Sequence, residues 1–147
     1  MPRGAIIRTG HLKDENAYEK YQGHQYHKIL VEELTHIPFE ESYLKLISSC
    51  RSTTPGLKPQ VFATTNPGNA GHEWVKRRFV TPTDPATPYT DPVTGRTRIF
   101  IPARIEDNPH LMEHDPAYVS FLEGLPDGPC EHKHFAAFWG NLIHVIL

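Results

Sequence analysis

Two adjacent carboxylates carry the first chemical signal in this chain. His27-Lys28-Ile29-Leu30-Val31-Glu32-Glu33-Leu34-Thr35 runs three apolar residues straight into Glu32 and Glu33. A short apolar run of this kind reads as a buried strand with its acids at the C-terminal end. In open α/β sheets that end is where ligands bind. Tandem acids there suit nucleoside triphosphate hydrolysis: one carboxylate holds Mg²⁺ through water, and the next orients the attacking water. The same pattern also fits a strand whose acids lead into a solvated loop.

The elements around the acids have to bring further polar groups to that strand end. After Thr35, His36-Ile37-Pro38-Phe39-Glu40-Glu41 reads as a helix start, with proline at the first helical position and acids in the first turn. Phe39, Tyr43, Leu44 and Ile47 are expected on one helical face, and Arg51-Ser52-Thr53-Thr54-Pro55-Gly56 should end the helix. Gln60-Val61-Phe62-Ala63-Thr64 reads as a second strand. Strand, helix and strand make a βαβ unit, so the two strands should be parallel with a right-handed crossover. Thr64-Thr65-Asn66-Pro67-Gly68 then turns at the same sheet edge as Glu32 and Glu33, and the two strand ends should converge.

Elsewhere the expectations are coarser. Ala5-Ile6-Ile7 between Gly4 and Gly10 suggests a first strand, and residues 13–23 allow one or two helical turns closed by Gly23. His72 to Phe79 should be helical, with Trp74, Val75 and Phe79 apolar, Trp74 and Phe79 as core anchors rather than base-stacking groups, and Lys76, Arg77 and Arg78 clustered together. A turn at Asp91 to Gly95 should lead into a strand at Arg98 to Ile101. Asn108-Pro109 and Asp115-Pro116 look like helix starts, the second leading into Tyr118, Phe121 and Leu122 on one face.

Composition bounds the class. The 147 residues are 38% hydrophobic and 22% charged, with net charge −2, so they suit one globular domain without a global basic signature for nucleic acid. Cys50 and Cys130 make no disulfide framework and read as free thiols in a reducing compartment. Cys130-Glu131-His132-Lys133-His134 has metal-ligand residue types but lacks a second ligand pair. No charged-then-apolar leader and no apolar run of about 18 residues occurs, which argues against secretion and membrane spanning. Of 14 prolines, six fall within residues 81–110, which marks an extended, turn-rich segment.

Read together, several motifs stand in one order at compact spacing. They are Tyr21-Gln22-Gly23, Glu32-Glu33-Leu34-Thr35-His36, Ser52-Thr53, Ala63-Thr64-Thr65-Asn66-Pro67-Gly68, Gly71-His72-Glu73-Trp74-Val75-Lys76-Arg77-Arg78-Phe79, Ile101-Pro102-Ala103 and Asp107-Asn108-Pro109. From about Gly4 to Leu125 this pattern resembles the large subunit of tailed-phage DNA-packaging terminases, ATP-driven motors that move DNA into capsids. The resemblance implies an α/β fold, part of a P-loop NTPase-type, mostly parallel sheet with flanking helices and a proline-rich C-terminal extension.

The resemblance also implies roles. Val31-Glu32-Glu33 matches the Walker B segment, so Glu32 would hold Mg²⁺ through water and Glu33 would position the water attacking ATP. The family usually carries aspartate at the first acid, and Glu32 is longer by one methylene. Thr64, Thr65 and Asn66 match the coupling motif that senses the γ-phosphate, a task suited to hydroxyl and amide donors at a strand end. Lys76, Arg77 and Arg78 could contact DNA phosphate or a neighbouring subunit's nucleotide, or form a solvated helix face. Residues 1–80 would belong to the ATPase core, 81–128 to the lid and linker region, and 129–147 to a divergent tail.

Two departures shape the expectation. None of the ten glycines stands in a Gly-x-x-x-x-Gly-Lys-Ser/Thr phosphate loop, and the clustered carboxylates of a nuclease domain are missing. The chain therefore reads as an internal piece of a terminase large subunit that would not hydrolyse ATP well alone. The alternative is a non-catalytic DNA- or protein-binding remnant. The intact parent would use ATP and Mg²⁺ and act on double-stranded DNA. It would work with a small subunit and a portal as a homo-oligomeric ring in the host cytoplasm.

Overall fold

Two short apolar segments, alternately buried along their length, build the sheet. In the computed structural model, which describes residues 4–12, 16–103, 107–115 and 117–123, β1 (Lys28–Val31) pairs in parallel with β2 (Gln60–Ala63). The register sets Ile29 opposite Val61 and Val31 opposite Ala63. With side chains alternating along each strand, these four share one face. Ile29, Val61 and Ala63 are buried there and Val31 packs beside them. The other face carries Leu30, 75% exposed, opposite half-buried Phe62, and a shallow groove of about 320 Å³ runs over it.

The pairing reaches back beyond the strands. Tyr26 forms an isolated parallel bridge with Cys50, and the His27 carbonyl accepts the Gln60 amide at 3.0 Å. Cys50 lies buried at this junction as a free thiol, and burial pushes its ionisation up, which keeps it in the unreactive protonated form.

Helix α1 (Glu40–Ile47) crosses between the strands. It starts at Glu40, two residues after Pro38, because Phe39 is still extended and occupies the cap position. That offset turns the apolar face. Tyr43, Leu46 and Ile47 are buried, whereas Phe39 and Leu44, expected inside, are exposed.

The next helix changes pitch. Helix α2 (His72–Val75) widens into a π-helical turn at Lys76–Val80, closed by the Thr81 amide on the Lys76 carbonyl at 3.0 Å. The expected helix over His72 to Phe79 therefore exists, with the inserted π turn as its departure from regular pitch. Phe79 meets the Tyr43 ring edge-on at 6.1 Å, and Trp74 lies 5.4 Å from the same ring. The Trp74 indole donates to the Ile37 carbonyl at 2.8 Å, which satisfies its one polar atom inside the core. Gly71 makes this approach possible: a Cβ there would run into the Ile37 and Thr35 carbonyls and the Trp74 indole nitrogen.

A separate antiparallel hairpin follows, β3 (Tyr89–Thr90) with β4 (Thr97–Arg98). The expected turn at Asp91 to Gly95 is present: Asp91 accepts the Val93 and Thr94 amides, both at 3.0 Å. The strand is shorter than expected. Only Thr97–Arg98 pair, after which the Phe100 carbonyl accepts the Ala86 amide at 2.7 Å and Phe100 enters the core.

Helix α3 (Pro109–His114) begins where Asn108-Pro109 predicts, with the Asn108 side chain accepting the Leu111 amide at 3.2 Å. Helix α4 (Ala117–Glu123) brings the Tyr118 and Phe121 rings into a stack 6.4 Å apart. The helical turns expected over residues 13–23 appear as a 3-10 helix at Ala17–Tyr21, followed by Gly23 at φ 77°.

The first expected strand does not form. Residues 4–12 pair with no strand among the described residues, and Ile6 and Ile7 are 84% and 88% exposed. Two isoleucines without a neighbouring strand have no ladder to join and nothing to bury against. Among the described residues the protein is thus mixed α/β, with a parallel sheet of two strands and short helices. No helix among the described residues is long and apolar enough to cross a membrane. Cys130, His132 and His134 lie outside the described residues, as does the divergent tail.

Candidate functional site at the parallel strand ends

The two strands run in the same direction, so their C-terminal ends deliver Glu32 and Glu33 beside Thr64, Thr65 and Asn66. The convergence is held by backbone first. The Val31 carbonyl accepts the Thr64 amide at 2.9 Å, and the Thr64 carbonyl accepts the Leu34 amide at 2.8 Å. Side chains then lock the two turns together. Thr65 Oγ1 accepts the Thr35 amide at 2.9 Å and donates to Thr35 Oγ1 at 2.8 Å. Thr35 Oγ1 in turn donates to the Asn66 carbonyl at 2.9 Å. Asn69 Nδ2 adds a longer donation to Thr35 Oγ1 at 3.4 Å, and the Thr35 carbonyl accepts the Gly71 amide at 2.8 Å. Thr35 and Thr65 are essentially inaccessible to water, so each of these bonds replaces hydration that the hydroxyls have lost.

This network frees one group to face the acid. Asn66 is exposed, and its Nδ2 donates to Glu33 Oε1 at 3.3 Å. Of the three residues in the turn, Thr65 is committed inward and Thr64 contributes backbone bonds. Asn66 is the one whose side chain touches a carboxylate.

The backbone at the acid is strained. Glu33 sits at φ 53° and ψ 58°, in the left-handed region. For a residue with a Cβ this conformation costs about 1–2 kcal/mol. It reverses the chain at once into a 3-10 turn at Leu34–His36, burying Leu34 and Thr35 while the Glu33 side chain stays half-exposed. Strain of this sort persists only where surrounding bonds fix it, and the Leu34 and Thr35 amide bonds do so here.

Glu32 is exposed and has no hydrogen bond or ion pair among the described residues. A free carboxylate at a strand end suits a hydrated Mg²⁺, which keeps most of its waters and takes one or two carboxylates. The glycine-rich phosphate loop and its lysine are not in the sequence.

The basic cluster lies elsewhere in the network. Arg77 Nη2 and Arg78 Nη1 bond the two oxygens of Glu40 at 2.7 and 2.9 Å. They fasten the π turn to the first turn of α1, and Arg78 is largely buried in doing so. Lys76 is half-buried on the same turn.

Thr35 and Asn69 belong to this site although no sequence motif marks either for chemistry. Thr35 follows the tandem acids directly, but its inward role depends on a partner thirty positions away.

The family model for the terminase large subunit, T4likevirus-type, N-terminal, matches residues 1–128. No curated protein and no solved structure matches the chain. The match covers most of the sequence, including both strand ends and the Thr35–Thr65 lock, and the chain belongs to the T4-like terminase large subunit family, whose work is the packaging of phage DNA.

Proposed function

We propose that the β1 and β2 ends form the acid-and-sensor part of an ATP-hydrolysing site in the DNA-packaging motor. The bond between Asn66 Nδ2 and Glu33 Oε1 carries this reading. Glu33 is a carboxylate at the C-terminal end of a parallel strand, half-exposed, and oriented by a neutral amide. That is what a group needs in order to accept a hydrogen bond from an attacking water without being neutralised by a cation. The amide of Asn66 can turn from Glu33 toward a phosphate oxygen, so nucleotide state and the position of the acid would be read by one side chain. Thr64 and Thr65 support that movement from behind, through backbone and buried hydroxyl.

Glu32 would hold Mg²⁺ through water. When bound, the ion would neutralise charge on the β- and γ-phosphates. The triphosphate would be held by residues outside these 147, since the phosphate loop is not among them, in a sheet of the P-loop NTPase kind. The motor would act on double-stranded DNA in the host cytoplasm, with the small subunit, the portal and further large subunits as partners. Contact of Lys76, Arg77 or Arg78 with DNA or with a neighbouring nucleotide would have to compete with Glu40 for the two arginines.

The test is Glu33→Gln in a terminase large subunit that carries this segment, with ATP turnover and DNA packaging both measured. Turnover should fall about 10²–10⁴-fold while nucleotide binding persists. Turnover within twofold of the parent would overturn the assignment. The 147-residue chain alone should show no turnover sensitive to the same substitution.

A further inference from the structure

Helix α3 lies outside the proposed ATP site and displays a different donor set. His110, Glu113 and His114 fall at positions i, i+3 and i+4, which a helix stacks on one face. One ligand atom from each lies within 4.8 Å of the other two, and all three residues are exposed. Asn108 and Pro109 fix where the helix begins, and the Asp115 amide closes it on the Leu111 carbonyl at 2.8 Å. The face is therefore set by local capping and not by chance in a loop.

One further bond prepares the site. His114 Nδ1 lies 2.9 Å from the His110 carbonyl. A carbonyl can only accept, so Nδ1 carries the proton and the lone pair is left on Nε2. Metal-bound histidines are commonly oriented by such a donation from the other ring nitrogen to a backbone carbonyl. His110 and His114 have ring centroids 6.1 Å apart, so modest side-chain rotation brings their nitrogens to the separation of about 3.3 Å that two ligands need on a tetrahedral ion. Both residues are exposed to solvent.

We propose that His110, Glu113 and His114 form a surface site for a borderline divalent transition metal ion of the Zn²⁺ class, with water in the remaining position. Two imidazoles and one carboxylate favour Zn²⁺, Cu²⁺ or Ni²⁺ over Mg²⁺, which prefers six oxygen ligands. The site is thus chemically distinct from Glu32. A six-residue helix is below the length that holds itself together in water, and an ion bridging its first and last turns would stabilise it.

Zinc titration of the full chain against a chromophoric chelator tests this, with far-ultraviolet circular dichroism as a second readout. The chain should bind one tight equivalent and gain helical signal. Because ten histidines are present, two variant sets are needed. His110→Ala with His114→Ala should weaken that equivalent at least about tenfold and abolish the helical gain. Cys130→Ser with His132→Ala and His134→Ala should leave both unchanged. Glu113→Gln should weaken binding while leaving the apo spectrum as it was. A thousandfold excess of Mg²⁺ should not displace the zinc. Unchanged affinity in the α3 double variant, loss confined to the tail variant, or displacement by Mg²⁺ would each overturn the proposal.

Discussion

Thr35 and Thr65 are bonded to each other twice, once through the Thr35 amide at 2.9 Å and once between hydroxyls at 2.8 Å. Replacing Thr65 by valine keeps its shape but leaves a buried amide and a buried hydroxyl with one partner fewer. The expected loss is about 1–3 kcal/mol. Urea denaturation should show a lower midpoint with an unchanged slope, while Thr65→Ser should restore most of the loss.

Glu40 is the shared anchor of two arginines, and Arg78 is the less exposed of them. Glu40→Gln would leave Arg78 largely buried without its counter-charge, at a cost of about 1.5–3 kcal/mol. By contrast, Glu41 and Lys45 pair at 2.8 Å across one helical turn in solvent, and Glu41→Gln should change stability far less. Thermal unfolding of the two variants side by side separates the cases. Equal shifts would show that the Glu40 pairing is as weak as a surface bridge.

Tyr43 is fully buried between Trp74 and Phe79, yet its hydroxyl has no hydrogen-bond partner among the described residues. Burial drives the phenol far above its ordinary ionisation range. Tyr43→Phe removes a dehydrated polar atom and keeps both ring contacts. Stability should rise by about 1 kcal/mol. A fall in the melting temperature would reveal a partner for that hydroxyl.

Asp91 is held down to about pKa 2, mainly by the Thr94 amide and then by Arg98, against an ordinary value of 3.8. A depressed carboxylate stabilises the fold above its unfolded pKa and loses that contribution as pH falls through the folded value. The advantage of wild type over Asp91→Asn should therefore be constant above about pH 4.5 and shrink between pH 4 and pH 2. Denaturation midpoints measured across that range check the sign. An advantage that grows on acidification would contradict it.

Local signals in the sequence reach some of these features and not others. The apolar runs at Ile29 to Val31 and Val61 to Ala63, and the turn chemistry of Asn66-Pro67-Gly68, are short-range, and the parallel pair and its converging ends follow from them. The Asn108-Pro109 helix start is legible for the same reason. Glu33 in a left-handed conformation is not, because glutamate has no preference for it and the cause lies in the Leu34 and Thr35 bonds to the other strand end. The pairing of Arg77 and Arg78 with Glu40 depends on a π turn that no spacing rule announces. Ile6 and Ile7 show the converse failure: a sound strand pattern has no strand to join. The α3 donors were written in the sequence at helical spacing, but ten scattered histidines conceal one ordered pair.

The Leu30 side of the β1–β2 sheet bears on how the protein behaves in concentrated solution. Among the described residues the sheet has two strands, and the edge of such a sheet is a row of backbone donors and acceptors able to template another chain. Beside them, Leu30 and half-buried Phe62 offer the apolar surface that would reward such stacking. Lys28 stands at the entrance of β1 on that same face, an exposed charge beside the apolar surface. A charge flanking an apolar strand acts as a gatekeeper, because any chain that stacks there has to strip water from the ammonium.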